Sequence, residues 1–311
     1  MPLSHAKRVS FSRLGLVLCG LTGAVSVAAQ STPPEAPTRL APVLVTGQQV
    51  PGENKVLGSY SQPEWTARRR FATTRVYVQP EGQVEVELGT IFARPAEGPR
   101  TQLFRQEIEV GLPHRFQIDL ENTFQDYREG EVGAGAWHRD STAVELRYAL
   151  ADWDKIPLNP TVSLSWKANA AAADAAELQL LLGAELSTRW HWGANFFYEQ
   201  QVGGDRFRER SVSAAISYSL INEKLNVGIE TKYGEESDRD TRGQPERRWS
   251  IGPSVQWRPS DRLHFDLVPL WGASAAAAKW QVLLFFGFEF GEGSDDGDDH
   301  PRVEPAAQRG R

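Results

Sequence analysis

Residues 278–290 read AKWQVLLFFGFEF. From Trp280 to Phe290 every second side chain is apolar, and most of these side chains are aromatic. Because successive side chains of a strand point to opposite faces, this pattern predicts a β-strand with one wholly apolar face. An edge strand in water with such a face would invite aggregation unless something covered it. The rest of the fold must therefore supply that cover.

The N-terminus has the organisation of an exported protein. Basic residues between positions 7 and 13 precede an apolar run at 14–27, and small residues follow before Gln30. This order predicts a signal peptide at residues 1–29. The single cysteine, Cys19, falls inside it. The mature chain then has no disulfide framework and no cysteine-based metal site.

The composition is polar but compatible with a membrane protein. Mean hydropathy is −0.44, the formal net charge is −6, and 24% of residues are charged. After the signal peptide no stretch is apolar and long enough for a spanning helix. A spanning strand, however, needs only about ten residues with alternate ones apolar. Ten tryptophans suit a membrane interface. The acidic balance, without a basic stripe, argues against nucleic-acid binding.

Alternation of apolar and polar residues recurs along residues 82–290 in about twelve segments, an even number that is typical of bacterial barrels. The connections between them alternate between short and long. The main exception is a longer link at 151–159 on the side of the short turns. Short turns at one end and long loops at the other are typical of outer-membrane barrels. We therefore predict an all-β fold: a transmembrane antiparallel up-and-down β-barrel in the outer membrane of a Gram-negative bacterium.

Two regions flank the predicted barrel. Residues 30–81 begin with several prolines, and we assign them to a Pro-rich periplasmic N-terminal segment. Residues 291–311 contain an acidic cluster, and we assign them to a disordered tail. Within the barrel, Pro253 lies on the apolar face of its strand and has no N–H to donate, which suggests a bulge.

The second face of the predicted strands lines an interior, because a sheet in lipid must close. Carboxylates outnumber cations on that face, so either water fills a channel that favours cations or neutral polar solutes, or the charges pair into a plug that conducts little. The lumen-lining candidates are Glu85, Glu87, Arg105, Glu107, Glu109, Asp119, Glu121, Glu145, Arg147, Lys167, Glu185, Glu230, Lys232, Asp266 and Glu289.

The sequence does not favour an enzyme. The lipid-degrading outer-membrane phospholipase has a histidine and a serine two residues apart on one strand, and this chain has no such pair. His138 and Ser141 are three apart, while His191 and His264 have no serine two residues away. We expect these histidines to be interfacial or loop residues. We expect no catalytic residues, no metal site and no cofactor.

The last strand resembles the closing strand of bacterial outer-membrane β-barrels, in which a terminal aromatic pattern serves as an assembly signal. Here that pattern consists of Trp280, Phe286, Phe288 and Phe290. The resemblance implies contact with outer-membrane lipid and recognition by the barrel-assembly machinery. We expect a monomer.

A second resemblance concerns residues 84–120. Their early Gly-Pro-Arg link and the motif EVGLP at 109–113, together with the stretch 149–160, resemble outer-membrane transporters of the phenol-degradation (MetA-pathway-like) type. The resemblance covers residues 82–290 and implies passage of small hydrophobic or aromatic compounds. The predicted function is a narrow channel for passive passage of small solutes, with the solute unknown. The alternative is a structural or assembly-related protein whose plugged lumen binds periplasmic partners.

Overall fold

The computed structural model describes residues 56–68, 70–128 and 137–291. The predicted signal peptide, residues 30–55 and the tail after residue 291 lie outside this part. A closed barrel of twelve antiparallel strands dominates the molecule. The strands are β3 (Val84–Arg94), β4 (Arg100–Leu112), β5 (Phe116–Arg128), β6 (His138–Ala149), β7 (Thr161–Asn169), β8 (Ala175–Ser187), β9 (Trp190–Gln201), β10 (Arg208–Ile221), β11 (Leu225–Ser237), β12 (Glu246–Ser260), β13 (Leu263–Gly272) and β14 (Trp280–Phe290).

Each strand pairs with its neighbour in sequence, and β14 pairs with β3 to close the sheet. The closing register runs from Phe290 opposite Val84 to Trp280 opposite Arg94. Closure leaves no edge strand, which solves the aggregation problem that the aromatic strand posed. The predicted all-β up-and-down barrel of about twelve strands is confirmed.

The two faces of the sheet have opposite chemistry. Leu164, Ile229 and Trp257 point outward with more than half of their surface exposed, whereas Glu85 and Glu230 on the inward face are buried. This apolar belt is the surface that a bilayer covers. Among the described residues, no helix has the length and apolar character needed to cross a membrane.

The connections are sorted by length, as the sequence predicts. Short turns join the strands at 113–115, 188–189, 222–224 and 261–262, and we call this the periplasmic end. Longer links, such as 202–207, 238–245 and 273–279, lie at the other end, which we call the extracellular end. In the first short turn His114 and Arg115 adopt positive φ angles of 61° and 65°, which makes the reversal tight.

Before the barrel, residues 56–68 and 70–81 form a segment that we call the inserted segment. It contains two short strands, β1 (Val56–Leu57) and β2 (Gln62–Pro63), and one turn of helix, α1 (Glu64–Ala67). Its side chains contact inward-facing residues of several strands, so it lies in the lumen. This part of the region that the sequence assigned to the periplasm therefore fills the barrel instead.

Both ends of the inserted segment are anchored at the periplasmic end. Tyr60 donates a hydrogen bond from its hydroxyl to the carbonyl of Leu112 at 2.8 Å. The Gly82 N–H donates to the carbonyl of Gly111 at 3.0 Å. A Cβ at Gly111 would lie 1.9 Å from the carbonyl oxygen of Pro80, so only glycine allows this close approach. The segment is thus a loop that enters and leaves the lumen from the periplasmic side.

The long periplasmic link at 150–160, which was the exception to the loop pattern, covers this loop. The Trp153 N–H donates to the Tyr60 carbonyl at 2.9 Å, and the Tyr77 hydroxyl donates to the Ala151 carbonyl at 2.6 Å. The Trp153 ring packs edge-on against Trp65 and Tyr77, with centroids 5.6 and 5.3 Å apart. The extra length therefore serves to hold the inserted segment.

Pro253 does not create a bulge. The β12–β13 register is the same on both sides of it, with Ile251 opposite Trp271 and Val255 opposite Leu267. That register places Pro253 opposite Pro269 of β13. Neither proline has an N–H to donate, so the ladder has a gap between them rather than an extra residue.

Candidate functional site

The lumen brings the predicted lining residues together. All fifteen candidates lie on the inward face of their strands, and most of them are buried. The four aromatic residues of the predicted assembly signal lie on the opposite, lipid-facing side of β14, where Phe288 and Phe290 are 41% and 39% exposed. The alternation of β14 therefore separates the lumen chemistry from the membrane surface.

An aromatic group holds the inserted segment near the periplasmic end. The Trp65 indole N–H donates to Glu185 Oε1 at 2.6 Å, and its ring lies 4.7 Å from the ring of His191. Phe71, Val76 and other apolar side chains of the segment are buried nearby. Burial of this many apolar groups against the barrel wall is the main force that favours the inserted state.

Arg70 is a buried cation of the segment with several partners. Its guanidinium donates to the Ser219 hydroxyl at 3.0 Å, to Asn226 Oδ1 and to Glu223 Oε1 at 2.6 Å. A buried cation is tolerated only when it is paired and hydrogen-bonded. The periplasmic turn at 222–224 therefore supplies the charge that Arg70 requires.

The apex of the segment is held by a carboxylate of the wall. Glu230 accepts the N–H of Ala72 at 3.1 Å, and its other oxygen accepts the N–H and the hydroxyl of Thr73 at 2.7 and 2.6 Å. The Thr74 and Ser213 hydroxyls lie 3.1 Å apart within hydrogen-bonding distance. These contacts fix the tip of the loop near the middle of the barrel.

Arg75 neutralises part of the acidic wall. Its guanidinium contacts Glu107 Oε2 at 3.1 Å and also pairs with Glu109. On the wall itself, Arg147 bridges Asp119 and Glu145 at 3.0 and 2.8 Å. The carboxylates that would repel one another in an empty lumen are thus paired with cations, one of which comes from the inserted segment.

The hydroxyls of the two tyrosines of the segment donate hydrogen bonds to backbone carbonyls. Burial raises the pKa of Tyr77 well above its usual value, and burial likewise raises the pKa of Tyr60. A tyrosine hydroxyl is protonated at physiological pH even at its ordinary pKa of about 10, and the raised pKa extends this to higher pH. Their bonds to the carbonyls of Ala151 and Leu112 do not depend on pH there.

His264 is not an interfacial or loop residue, and neither is His191; both expectations were wrong. Each is buried on the inward face, with 0% and 2% of its surface exposed. The His264 ring nitrogens lie 2.7 Å from Asp266 Oδ2 and 2.9 Å from Glu85 Oε1. The alternation that placed Asp266 inside also places His264 inside, because the two are separated by two positions on β13.

One group of side chains has the composition of a metal site. Ligand atoms of Glu85, Glu87 and His264 all lie within 4.8 Å of one another. Carboxylate and imidazole ligands suit zinc. However, Glu87 pairs with Arg105 at 3.0 Å and Glu85 accepts from Gln79 at 2.7 Å, so a metal would compete with bonds that already exist.

Two cavities lie on the extracellular side of the inserted segment. One of about 540 Å³ is lined by residues near the extracellular end, including Glu97, Lys232 and Glu236. A second of about 350 Å³ reaches down to Thr74 and Arg75 of the segment. The cavity that the segment itself lines measures about 20 Å³. In the described part of the chain, the two larger cavities therefore lie towards the extracellular end and the smallest of the three lies beside the inserted segment.

The sequence analysis missed several lumen residues. Arg258 is buried and pairs with Glu289 at 2.7 Å, and Glu177 and Glu199 both contact Lys167. Strand alternation extended to the full length of each strand would have found these three. The inserted residues Arg70 and Arg75 had no periodic signal, because they are not in a strand.

A closed barrel with an apolar outer belt, a polar interior and short turns at one end is a transmembrane barrel of the Gram-negative outer membrane, so the predicted location and the predicted contact with its lipid are confirmed. No curated protein matches the chain.

Solved structures with a similar fold include the NanC porin (TM-score 0.47, 11% identity, covering 66% of this chain and 98% of that one). They also include the COG4313 outer membrane channel from Pseudomonas putida F1. Its TM-score is 0.48 and its sequence identity is 10%, and the match covers 69% of this chain and 98% of that one. A third is the KdgM porin in complex with disordered oligogalacturonate. Its TM-score is 0.46 and its sequence identity is 8%, and the match covers 66% of this chain and 98% of that one. Residues 175–290 match the family model described as "Putative MetA-pathway of phenol degradation", and the resemblance to barrels of that type is confirmed over this part of the chain.

Proposed function

We propose that the protein is a passive, non-enzymatic channel for small solutes and that the inserted segment forms its constriction. The observation that carries this proposal is a pair of cavities, about 540 Å³ near the extracellular end and about 350 Å³ at the apex of the segment. A solute that enters them meets Thr74 and Arg75 before it can reach the periplasm.

The charges around the cavities favour cations and neutral polar solutes. Carboxylates outnumber cations in both, and rings of acidic side chains favour cations in pores. The inner cavity also has Arg75, Arg105 and Arg147 on its wall, so an anionic group would find local partners. The match to a family described by phenol degradation supports small aromatic compounds as a narrower solute class. Phenols among them carry a hydroxyl that these polar groups can bind.

We infer that passage requires the inserted segment to move, because the cavity that its residues line measures only about 20 Å³. The anchors at Tyr60 and Gly82 hold both of its ends at the periplasmic end. The apex, in contrast, is held mainly by the polar contacts of Ala72–Arg75. Those contacts have a cavity on one side, so the apex is the part that yields first.

A disulfide tests this proposal. The hydroxyls of Thr74 and Ser213 are 3.1 Å apart, so Thr74→Cys with Ser213→Cys places two thiols within reach of a disulfide. The mature chain as predicted has no other cysteine. In planar bilayers the oxidised variant should show fewer openings than the reduced one, and the single variant Thr74→Cys should not respond to reductant. Equal conductance in both redox states would contradict a mobile constriction.

A second function remains supported by the closed lumen. A barrel whose interior is filled by its own chain could serve a structural or assembly role and bind periplasmic partners through residues before the inserted segment. This alternative predicts no conductance in either redox state. In both cases we propose a monomer whose aromatic β14 is recognised by the barrel-assembly machinery.

A further inference from the structure

The lipid-facing surface has one apolar groove near the extracellular end. It has a volume of about 380 Å³ and lies over β3, β4 and β14. Its lining is almost wholly apolar on the β14 side, where Trp280, Val282 and Leu284 follow one another on the outward face. Phe92 of β3 and Gln102 of β4 form the opposite wall. The groove therefore has the chemistry of a site for a hydrocarbon chain.

Two arginines lie at the extracellular end of this groove. Arg100 lines it directly. Arg94 lies opposite Trp280 in the strand register, and it is on the same outward face of β3 as Phe92. In the chain ranges that the structure covers, neither arginine has an ion-pair partner.

Neighbouring cations at the same end behave differently. Arg247 pairs with Glu235 at 3.1 Å, and Arg248 pairs with Glu236 at 2.8 Å. Glu97 lines the internal cavity, and the one carboxylate that the register places beside the groove is Asp126 of β5, opposite Gln102. The two arginines at the groove therefore outnumber the acid beside them.

We propose that this groove binds lipid A, the phosphorylated and acylated anchor of lipopolysaccharide. An acyl chain would lie along Trp280, Val282 and Leu284, and a phosphate would lie between Arg94 and Arg100. Guanidinium groups bind phosphate through paired hydrogen bonds, which favours arginine at such a position. The outer leaflet, where lipid A resides, surrounds this end of the barrel, and Trp280 is at the depth where tryptophan meets the interface.

The test uses the purified full-length protein in detergent and native mass spectrometry with defined lipids. Diphosphoryl lipid A should be retained as a one-to-one complex. Monophosphoryl lipid A should bind about tenfold more weakly, since one charge-assisted contact is lost. Phosphatidylglycerol and phosphatidylcholine should bind more weakly still. Equal retention of all four lipids would overturn the proposal, as would a dimer of the barrel that excludes lipid.

Matched variants locate the site. Arg94→Gln with Arg100→Gln should weaken binding of diphosphoryl lipid A by about a hundredfold, or tenfold for each arginine removed. Lys155→Gln with Lys224→Gln removes the same charge from exposed positions at the periplasmic end and should leave binding unchanged. The same loss in both double variants would show that only overall charge matters and would refute a site at the groove. The comparison of the two lipid A forms on the unaltered protein keeps the test decisive if a variant does not fold.

Discussion

Replacing Glu230 with glutamine should release the apex of the inserted segment. This carboxylate accepts three hydrogen bonds from Ala72 and Thr73, at 3.1, 2.7 and 2.6 Å, and it is buried. Hydrogen bonds to a charged group contribute about 1.5–3 kcal/mol each. Glutamine keeps one oxygen acceptor but turns its amide NH₂ towards donors.

The expected loss is about 3 kcal/mol rather than the sum of the three bonds, because contacts that share one side chain are not additive. A change of this size shifts the equilibrium between the docked and released apex by about a hundredfold. If release of the apex opens the lumen, open probability in planar-bilayer recordings should rise by up to the same factor.

Glu236→Gln is the matched control for this measurement. Glu236 also lies on the inward face of β11, but it pairs with Arg248 near the extracellular end and is not among the residues that hold the apex. It should change ion selectivity slightly and leave open probability as it was. Equal opening in both variants, or no opening in Glu230→Gln, would refute the assignment of Glu230 as the residue that holds the constriction.

Three further substitutions probe other parts of the structure. Gly287→Ala would place a Cβ 1.8 Å from His264 Nε2. It should therefore lower the free energy of unfolding by about 1–3 kcal/mol, measured by urea titration. An unchanged urea midpoint of unfolding would contradict this packing. Trp65→Ala removes the ring contact with His191 and should weaken docking of the inserted segment by about 3–5 kcal/mol. Trypsin should then cleave within the segment faster. An unchanged cleavage rate would show that this ring is dispensable. Phe290→Ala should reduce the heat-modifiable barrel in outer-membrane fractions while purified, folded protein stays intact, and normal accumulation in cells would exclude this residue from the assembly signal.

The barrel could be predicted from sequence because one physical rule governs every strand. A strand between lipid and lumen must alternate, so Val86 and Glu87, or Leu267 and Asp266, report opposite environments. The sorting of short and long connections then fixes which end is which. Alternation does not report how the hydrogen bonds of the ladder run, and the gap at Pro253 is one example. From sequence a proline on a strand suggests a bulge, and only the opposing Pro269 shows why the register is kept.

The inserted segment could not be predicted in the same way. Its contacts join residues that are far apart in the chain, such as Arg70 with Asn226 or Trp65 with Glu185. No local period encodes such pairs. The available signal was compositional: several aromatic residues, among them Trp65 and Phe71, occur in a region assigned to the aqueous periplasm. Large apolar side chains in such a region need a place to be buried, and the lumen is the nearest one.

The arginines of the inserted segment balance carboxylates of the lumen, so moving the segment changes the net charge of the lumen. The strands alone carry an excess of inward carboxylates, and the inserted segment supplies Arg70 and Arg75 to Glu223, Glu107 and Glu109. When the segment withdraws, these carboxylates lose their partners inside a low-dielectric wall, which costs several kcal/mol unless water and cations replace the arginines. The open lumen must therefore be wet and rich in cations. We propose that the carboxylates that hold the constriction in place would form a cation-selective lining once it has moved, so that one set of charges would serve both closure and selectivity.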